Sequence, residues 1–468
     1  MSCALLLVAV LGFVEPSSPA APAGSIGAQA ERPEPAASAR GVELSWAEFH
    51  ALVLDRHAMS QVGREALQHL LRARLLDRLA SESKLVIPER DLDAKLRELE
   101  VEVQRAGEAG SLDEYLAAKR VPKAKFREFL RLGLVQERLA RRALGIADNR
   151  PIHAEQQEMW LDQIVQQRGM QTPPPPWTDG VVARCGDLEI KLDAYLPHLV
   201  EQLTSDDVDE DCHRALLAKL AQQRMPDLSK EALERALDEE LARRKAAALV
   251  DPKTKGLSFE QLLAAQGLTI DMLRRDPAVR SAALAHLWVE RNYGEAGLRR
   301  VYDEERVWFD ARFGEAYETR AIFLRAAKFT NEFNPRTFED AERELGRLAP
   351  QIKSREDFER FAKLRSEDPA TRERGGLLGY ISAGDENAPE ALRTALFVGG
   401  GGAERLVGPL RIPAGVLLAW AGQKRPTPGW ELMREYVHNE LRRRFIEETL
   451  PEADVLTFLE MDAFGGRK

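Results

Sequence analysis

Apolar residues recur along this chain with two periods, one of two residues and one close to 3.6, and their alternation outlines the fold. Val42, Leu44 and Trp46 alternate as in a short strand, and a helix carrying Phe49 and Val53 follows. Leu67, Leu70, Leu71, Leu75 and Leu79 then share one helical face. Proline is tolerated in a first helical turn, so Ile87-Pro88-Glu89 starts another helix, with Leu92, Leu96, Leu99 and Val103 as its stripe. The Ser111 hydroxyl can cap a short helix holding Leu112, Tyr115 and Leu116. Phe126, Leu130 and Leu134 mark a long helix running to about Leu144.

The stretch 151–177 ends in the proline run Pro173 to Pro176, which favours extended polyproline II and reads as a stiff linker. Beyond it the pattern returns. Leu188, Ile190 and Leu192 match Val42, Leu44 and Trp46, and Tyr195 matches Phe49. The helix ALLAKLAQQ matches LLRARLLDRLA, the segment from Leu228 matches that from Ile87, and SFEQLLAAQGL matches SLDEYLAAKRV. Two copies of one helical module are therefore expected, over 41–150 and 178–314, the second ending in a charged helix from Arg300 to Phe313.

The next region reads differently. An apolar strand, Ala321 to Leu324, leads into helical patterning that ends near Ala362. A loop holding Ser366, Glu367, Asp368 and Pro369 precedes the paired glycines Gly375 and Gly376 and the strand GGLLGY. A helical turn from Pro389 to Phe397, the pair Gly408-Pro409 and a strand from Val416 to Trp420 close the region. After a break at Pro426 to Gly429, Trp430 to Glu448 form a basic amphipathic helix, and Ala453 to Phe458 read as a strand.

This order, with AKLRSEDPATRERGGLLGY at its centre, resembles the parvulin (PpiC-type) peptidyl-prolyl isomerases, or rotamases, over 315–425. The helical succession LLRARLLDRLA, VIPERDLDAKL, SLDEYLAAKRV and KFREFLRLGLVQERL resembles the N-terminal chaperone domain of SurA and related foldases such as PrsA. The fold implied is mainly α, with two SurA-like helical modules, then an α+β domain whose four-stranded antiparallel sheet is flanked by helices. The same resemblance implies that 426–468 packs back on one of the helical modules.

Composition narrows the partners. A net charge of -9 argues against nucleic acid, which needs a basic face. The apolar run Ala4 to Val14 is too short to span a bilayer core and reads as part of a secretory leader over 1–30, with small-residue cleavage sites near Ala23 or Ala30. Residues 31–40 are rich in Pro, Ala and Ser and are expected to be a disordered tether. With no later span, an exported, periplasmic or otherwise extracytoplasmic protein is expected. Of three cysteines, Cys3 lies in the leader, and Cys185 and Cys212 can pair or stay reduced.

Prolyl isomerisation needs no cofactor, and neither cofactor nor metal is expected. Rotation about the prolyl bond faces about 18–20 kcal/mol. A catalyst must seat the ring in an apolar pocket and favour the twisted amide over both planar forms. In parvulins, two histidines and a Cys or Asp stand beside such a pocket. By that resemblance Asp368 takes the Cys/Asp position, although it equally fits a turn-capping role before Pro369. Leu378, Leu392 and Phe397 fall near the pocket positions, with ordinary core packing as the other reading. The histidine positions hold Ala321 and Leu417. The eight histidines are His50, His57, His69, His153, His198, His213, His286 and His438, and none lies between Tyr317 and Arg425.

The expected function is that of an exported folding factor of the parvulin class. It binds unfolded or nascent exported polypeptides and proline-containing segments, with weak or absent isomerase catalysis. The alternatives are an active isomerase with an atypical site and an exported structural protein without clients. Asp207, Asp209 and Asp211 alternate as in a calcium loop, but Cys212 replaces the turn glycine. Gly399 to Gly402 lacks the Lys-Ser/Thr of a phosphate loop, and no zinc spacing appears.

Overall fold

A computed structural model describes residues 35–119, 121–147, 150–250, 256–330, 336–398 and 402–458. The leader expected over 1–30 and glycines 399–401 lie outside the described residues. The chain divides into two compact units, Met1–Leu284 with Ile446–Lys468, and Ala285–Phe445. Among the described residues it is mainly helical, with one four-stranded and two three-stranded sheets, all antiparallel.

In the first unit, β1 (Ala37–Ala39) and β2 (Val42–Leu44) form a hairpin through Arg40 and Gly41, both at positive φ (49° and 78°). Two successive left-handed residues give a turn whose twist suits paired strands. Ser45 then opens α1 (Trp46–His57) with a reciprocal cap: its hydroxyl accepts from the Glu48 amide, and the Glu48 carboxylate accepts from the Ser45 amide. The helices α2 (Gln61–Glu82), α3 (Glu89–Ala106), α4 (Leu112–Ala118) and α5 (Lys123–Leu144) follow. Next come α6 (Ala154–Arg168) and β3 (Met170–Gln171). The hairpin of β4 (Val181–Cys185) and β5 (Leu188–Lys191) begins the second round. It continues as α7 (Leu192–Gln202), α8 (Ser205–Gln223), α9 (Lys230–Val250), α10 (Phe259–Ala265), α11 (Ile270–Arg275) and α12 (Pro277–Asn292), the last ending in the second unit.

The second unit adds α13 (Gly294–Glu304) and α14 (Arg306–Phe313), so the single helix expected to Phe313 is two, separated at Glu305. Then come β6 (Ala316–Arg325), α15 (Phe338–Leu348), α16 (Arg355–Arg365), β7 (Leu377–Ser382), α17 (Glu390–Phe397), β8 (Arg405–Ile412), β9 (Gly415–Arg425) and α18 (Trp430–Thr449). The strand order is β7-β6-β9-β8. Ile322, Leu324, Val416, Leu418 and Trp420 cover one face of this sheet and pack on Leu345 and Phe358 of α15 and α16. Tyr317, Leu417 and Ala419 cover the other and pack on Leu392 and Leu396 of α17. The continuous apolar runs seen in the sequence thus serve two cores at once, successive side chains pointing to opposite faces. A separate cluster joins Val289, Leu298, Tyr302 and Phe309 to Met433, Val437 and Leu441.

The last strand, β10 (Leu456–Thr457), returns to the first unit and pairs with β1, Ala37 opposite Thr457. The two small sheets have matching orders, β10-β1-β2 and β3-β4-β5. One hydrophobic core holds residues of both rounds, from Leu44, Phe49 and Leu71 to Ile190, Tyr195 and Leu216, with Leu450 and Phe458 from the chain's end. The expected boundaries at 150 and 178 therefore do not separate compact units.

Two further expectations are corrected. Residues 151–177 are not a bare linker: α6 buries Trp160 and Leu161 with half-buried Ile164 and Val165 beside them. This one-and-four spacing makes an apolar stripe that the following prolines mask compositionally. Of the tether read over 31–40, residues 31–34 lie outside the described residues, and residues 35–40 are folded, with Ala36 and Ala37 fully buried in the main core. Cys185 and Cys212 are buried and unpaired, and burial raises both thiols, Cys212 to about 12. The acidic triplet of α8 is fully used in packing. Asp207 caps with Thr204, Asp209 accepts from the Thr457 hydroxyl at 3.0 Å, and buried Asp211 pairs with Arg56 and His57.

Candidate functional site

The loop after α16 is built as an extra edge on β6. The Phe323 amide donates to Ser366 Oγ at 3.2 Å, and the Glu367 amide donates to the Phe323 carbonyl at 2.8 Å. The Glu367 carboxylate accepts from the Arg325 amide and the Arg336 guanidinium, each at 2.7 Å. These bonds hold Asp368 in place, but its carboxylate turns inward on its own loop. It accepts from the Ala370 amide at 3.1 Å and from the Thr371 hydroxyl. Both oxygens are thus engaged in closing a turn, the role an aspartate before proline commonly plays.

The paired glycines have a steric cause. Gly376 has φ of 78°, and a Cβ there would lie 2.4 Å from the Ala321 carbonyl oxygen. The Ala321 amide donates to the Gly376 carbonyl at 2.8 Å, so β6 and the chain entering β7 touch where no side chain fits.

Ala321 stands opposite Ala419, and Phe323 opposite Leu417. Directly paired and alternate positions share a face, so Ala321 and Leu417 both lie on the α17 side of the sheet. Both are buried, at 6% and 4% exposure. That side is apolar: Tyr317, Ala419, Ala421, Leu392 and Leu396 fill it, and the Thr319 hydroxyl donates to the Tyr317 carbonyl. Leu392 is fully buried in this core and is not open to a ligand. Phe397 is half-buried beside it, its ring 5.3 Å from that of Tyr317. Leu378, by contrast, is exposed on β7. The structure therefore joins Leu392 and Phe397 in one cluster and leaves Leu378 at the surface.

Sequence reading missed the part played by Phe323. With Ala326, Phe338, Pro413 and Ala414, and with Arg325 and Lys328 on its rim, it lines a hollow of about 420 Å³ beside the docked loop. The signal was present, since Phe323 alternates with Ala321 on the same strand. The opposite face holds a buried charge: Arg320 pairs with Glu318 at 3.2 Å and with Glu359 at 3.0 Å, and donates to the Arg374 carbonyl at 3.1 Å. It ties β6 to α16 and to the approach of β7, as a buried guanidinium needs several partners. Of the histidines nearest in sequence, His286 and His438 lie together, ring centroids 4.5 Å apart, with His438 Nε2 3.2 Å from Glu290. Neither partners Asp368. The site can seat an apolar ring, but it holds no imidazole to polarise an amide.

Residues 311–401 match the family described as the PPIC-type PPIASE domain. A search of curated proteins finds no match. Among solved structures, a PpiC-type peptidyl-prolyl cis-trans isomerase domain is 30% identical, over 25% of this chain and 96% of that one, with a TM-score of 0.20. The isomerase PrsA of Bacillus anthracis is 12% identical over 52% of this chain and 96% of its own, with a TM-score of 0.29. A structure reported for PEB4 and Cj1289, two SurA-like chaperones of Campylobacter jejuni, is 14% identical over 54% and 92%, with a TM-score of 0.23. Among the described residues, no helix is long and apolar enough to cross a membrane.

Proposed function

We propose, from the premise that this chain belongs through residues 311–401 to the PPIC-type peptidyl-prolyl isomerase family, that it is an exported folding factor. It holds unfolded polypeptides and has little or no isomerase activity. One observation supports this reading above the others. The two face-sharing positions at the sheet centre are Ala321 and Leu417, and the Asp368 carboxylate is spent on its own turn. A proline ring can rest near Phe323, but the sheet positions beside it carry no imidazole to polarise the twisted amide, and the cations of that hollow, Arg325 and Lys328, stand on its rim. Exposed Phe129 and Leu144 on α5 and Met159 on α6 supply apolar contacts for an extended client. The apolar run Ala4 to Val14 supports export, with clients among exported chains in the periplasm or an equivalent compartment.

Two assays on the full chain test this reading. In proline-limited refolding of a model substrate, the protein leaves the slow phase unaltered at catalytic ratios. At stoichiometric ratios it suppresses aggregation of a denatured exported protein. Acceleration of the slow phase at catalytic ratios would show an active isomerase. Failure to suppress aggregation would remove the chaperone role.

A further inference from the structure

His286 and Glu290 lie four residues apart on α12, so both project from one face of that helix. His438 reaches the same point from α18. One nitrogen from each ring and one oxygen of Glu290 all lie within 4.8 Å of one another. Around one tetrahedral zinc, with bonds of about 2.0–2.1 Å, ligand atoms stand about 3.3 Å apart. His438 Nε2 and Glu290 already stand 3.2 Å apart, and Glu290 is exposed and free to change rotamer.

The backbone beneath is already fixed. Val289 of α12 packs with Met433, Val437 and Leu441 of α18, and Trp288 lies 4.9 Å from Phe445, ring to ring. His438 is buried at 6% exposure, His286 is half-buried, and Glu290 is at the surface. The three donors thus run from the core outward and leave the solvent side for a fourth ligand. A rigid inner ligand and an open outer position are the layout of a three-ligand zinc centre.

We propose that His286, Glu290 and His438 form a binding site for one divalent transition-metal ion of the zinc class. Two imidazoles and one carboxylate suit Zn²⁺, Co²⁺ or Ni²⁺, whereas Ca²⁺ and Mg²⁺ need a shell of oxygens. The ion fastens α12 to α18, the helices before and after the isomerase-like sheet in the chain. The site is independent of whether the sheet domain is catalytic.

Metal-free full-length protein is titrated with ZnCl₂, and in separate arms with CoCl₂, CaCl₂ and MgCl₂. Bound metal is measured by equilibrium dialysis, and the melting temperature is followed with and without zinc. Expected are one Zn²⁺ per chain, visible ligand-field bands with Co²⁺, a zinc-dependent rise in melting temperature, and no stoichiometric Ca²⁺ or Mg²⁺. Glu290→Gln, at an exposed position that leaves the core intact, weakens zinc binding at least tenfold, and His286→Gln abolishes the Co²⁺ bands. The proposal is overturned if wild-type protein takes up no stoichiometric zinc, or if Glu290→Gln and His286→Gln bind it as wild type does. Equal uptake of calcium would also overturn it.

Discussion

The two hairpin-centred rounds of the first unit are built to one plan and finished by different means. Val42, Leu44, Trp46 and Phe49 in the first occupy the places of Leu188, Ile190, Leu192 and Tyr195 in the second. Each hairpin receives a third strand on the outer side of its first strand, and each of those strands follows a helix, β3 after α6 and β10 after α18. An aromatic residue then covers the buried ring of each round. Phe458 lies 5.7 Å from Phe49, and Trp177 lies 6.1 Å from Tyr195. The second round draws its closing strand from next door, Met170 opposite Cys185, whereas the first draws its own from the far end of the chain, Thr457 opposite Ala37. The same local pattern can therefore be completed by near or distant segments. What the pattern demands is an edge partner, and what supplies it is set by the rest of the chain.

That contrast gives an ordered set of outcomes. The largest effect is expected at the distant closure. Phe458 packs on both Trp46 and Phe49, with ring centroids at 4.8 and 5.7 Å, so Phe458→Ala should cost about 3 kcal/mol in urea denaturation. At the near closure, truncating half-buried Met170 of β3 (Met170→Ala) should cost clearly less. Equal losses would erase the asymmetry between the rounds.

Next comes the one position where the second round gains a polar tie. Tyr195 takes the place of Phe49, and its single hydroxyl hydrogen is shared between the Ala58 carbonyl at 3.1 Å and the Gly63 carbonyl at 3.0 Å. Tyr195→Phe makes the two positions chemically alike and leaves these buried acceptors short of a donor, which should cost about 1–2 kcal/mol in the same measurement. No change in stability would mean that the hydroxyl only fills space.

A smaller difference lies at the helix starts. Ser45 caps α1 through a reciprocal pair with Glu48, whereas its counterpart Lys191 makes no side-chain cap to α7. Ser45→Ala should cost about 1 kcal/mol and Lys191→Ala almost nothing. The reverse ranking would show that the cap is dispensable.

The smallest effect is on acidity. Burial, and then the nearby Arg56 charge, hold the His57 imidazole below its usual value of 6.5 and outweigh the Asp207 and Glu210 carboxylates, which favour its protonated form. A histidine with a depressed folded value binds its proton more readily when unfolded. Its contribution is therefore complete above about 6.5 and lost as pH falls through the folded value. Wild-type stability should drop more between pH 7 and 5 than that of His57→Gln, and parallel curves would exclude this group as the cause.

Much of this was legible in the sequence because it depends on near neighbours. Period-two alternation gave β2 and β5, apolar runs and the paired glycines gave β6, β7 and β9 but not β8, period-3.6 stripes gave the helices, and the doubling of Leu188-Ile190-Leu192-Tyr195 announced the second round. The glycines before β7 were legible too, since a positive φ against a neighbouring carbonyl leaves them little alternative. What escaped depends on pairing across distance. Nothing local to Leu456 says that it will lie beside Ser38. Nothing in the helical stripe of α17 distinguishes Leu392, sealed in the core, from half-buried Phe397. Composition misled at residues 36 and 37, where alanine signals disorder in a chain but also fits where layers pack closest. The His286, Glu290 and His438 trio was invisible for the same reason, because its members come from helices on either side of the sheet domain in sequence.

The pairing of β10 with β1 has a consequence for biosynthesis. As the chain emerges from the ribosome, the hairpin of residues 37–44 appears long before its mate at residues 456–457. Until that mate is made, the outer backbone of β1 stays unzipped, a raw ladder to which any passing strand can attach. A nascent product halted short of Leu456 keeps that open seam permanently, so prematurely terminated copies are marked for aggregation or disposal by their own first strand.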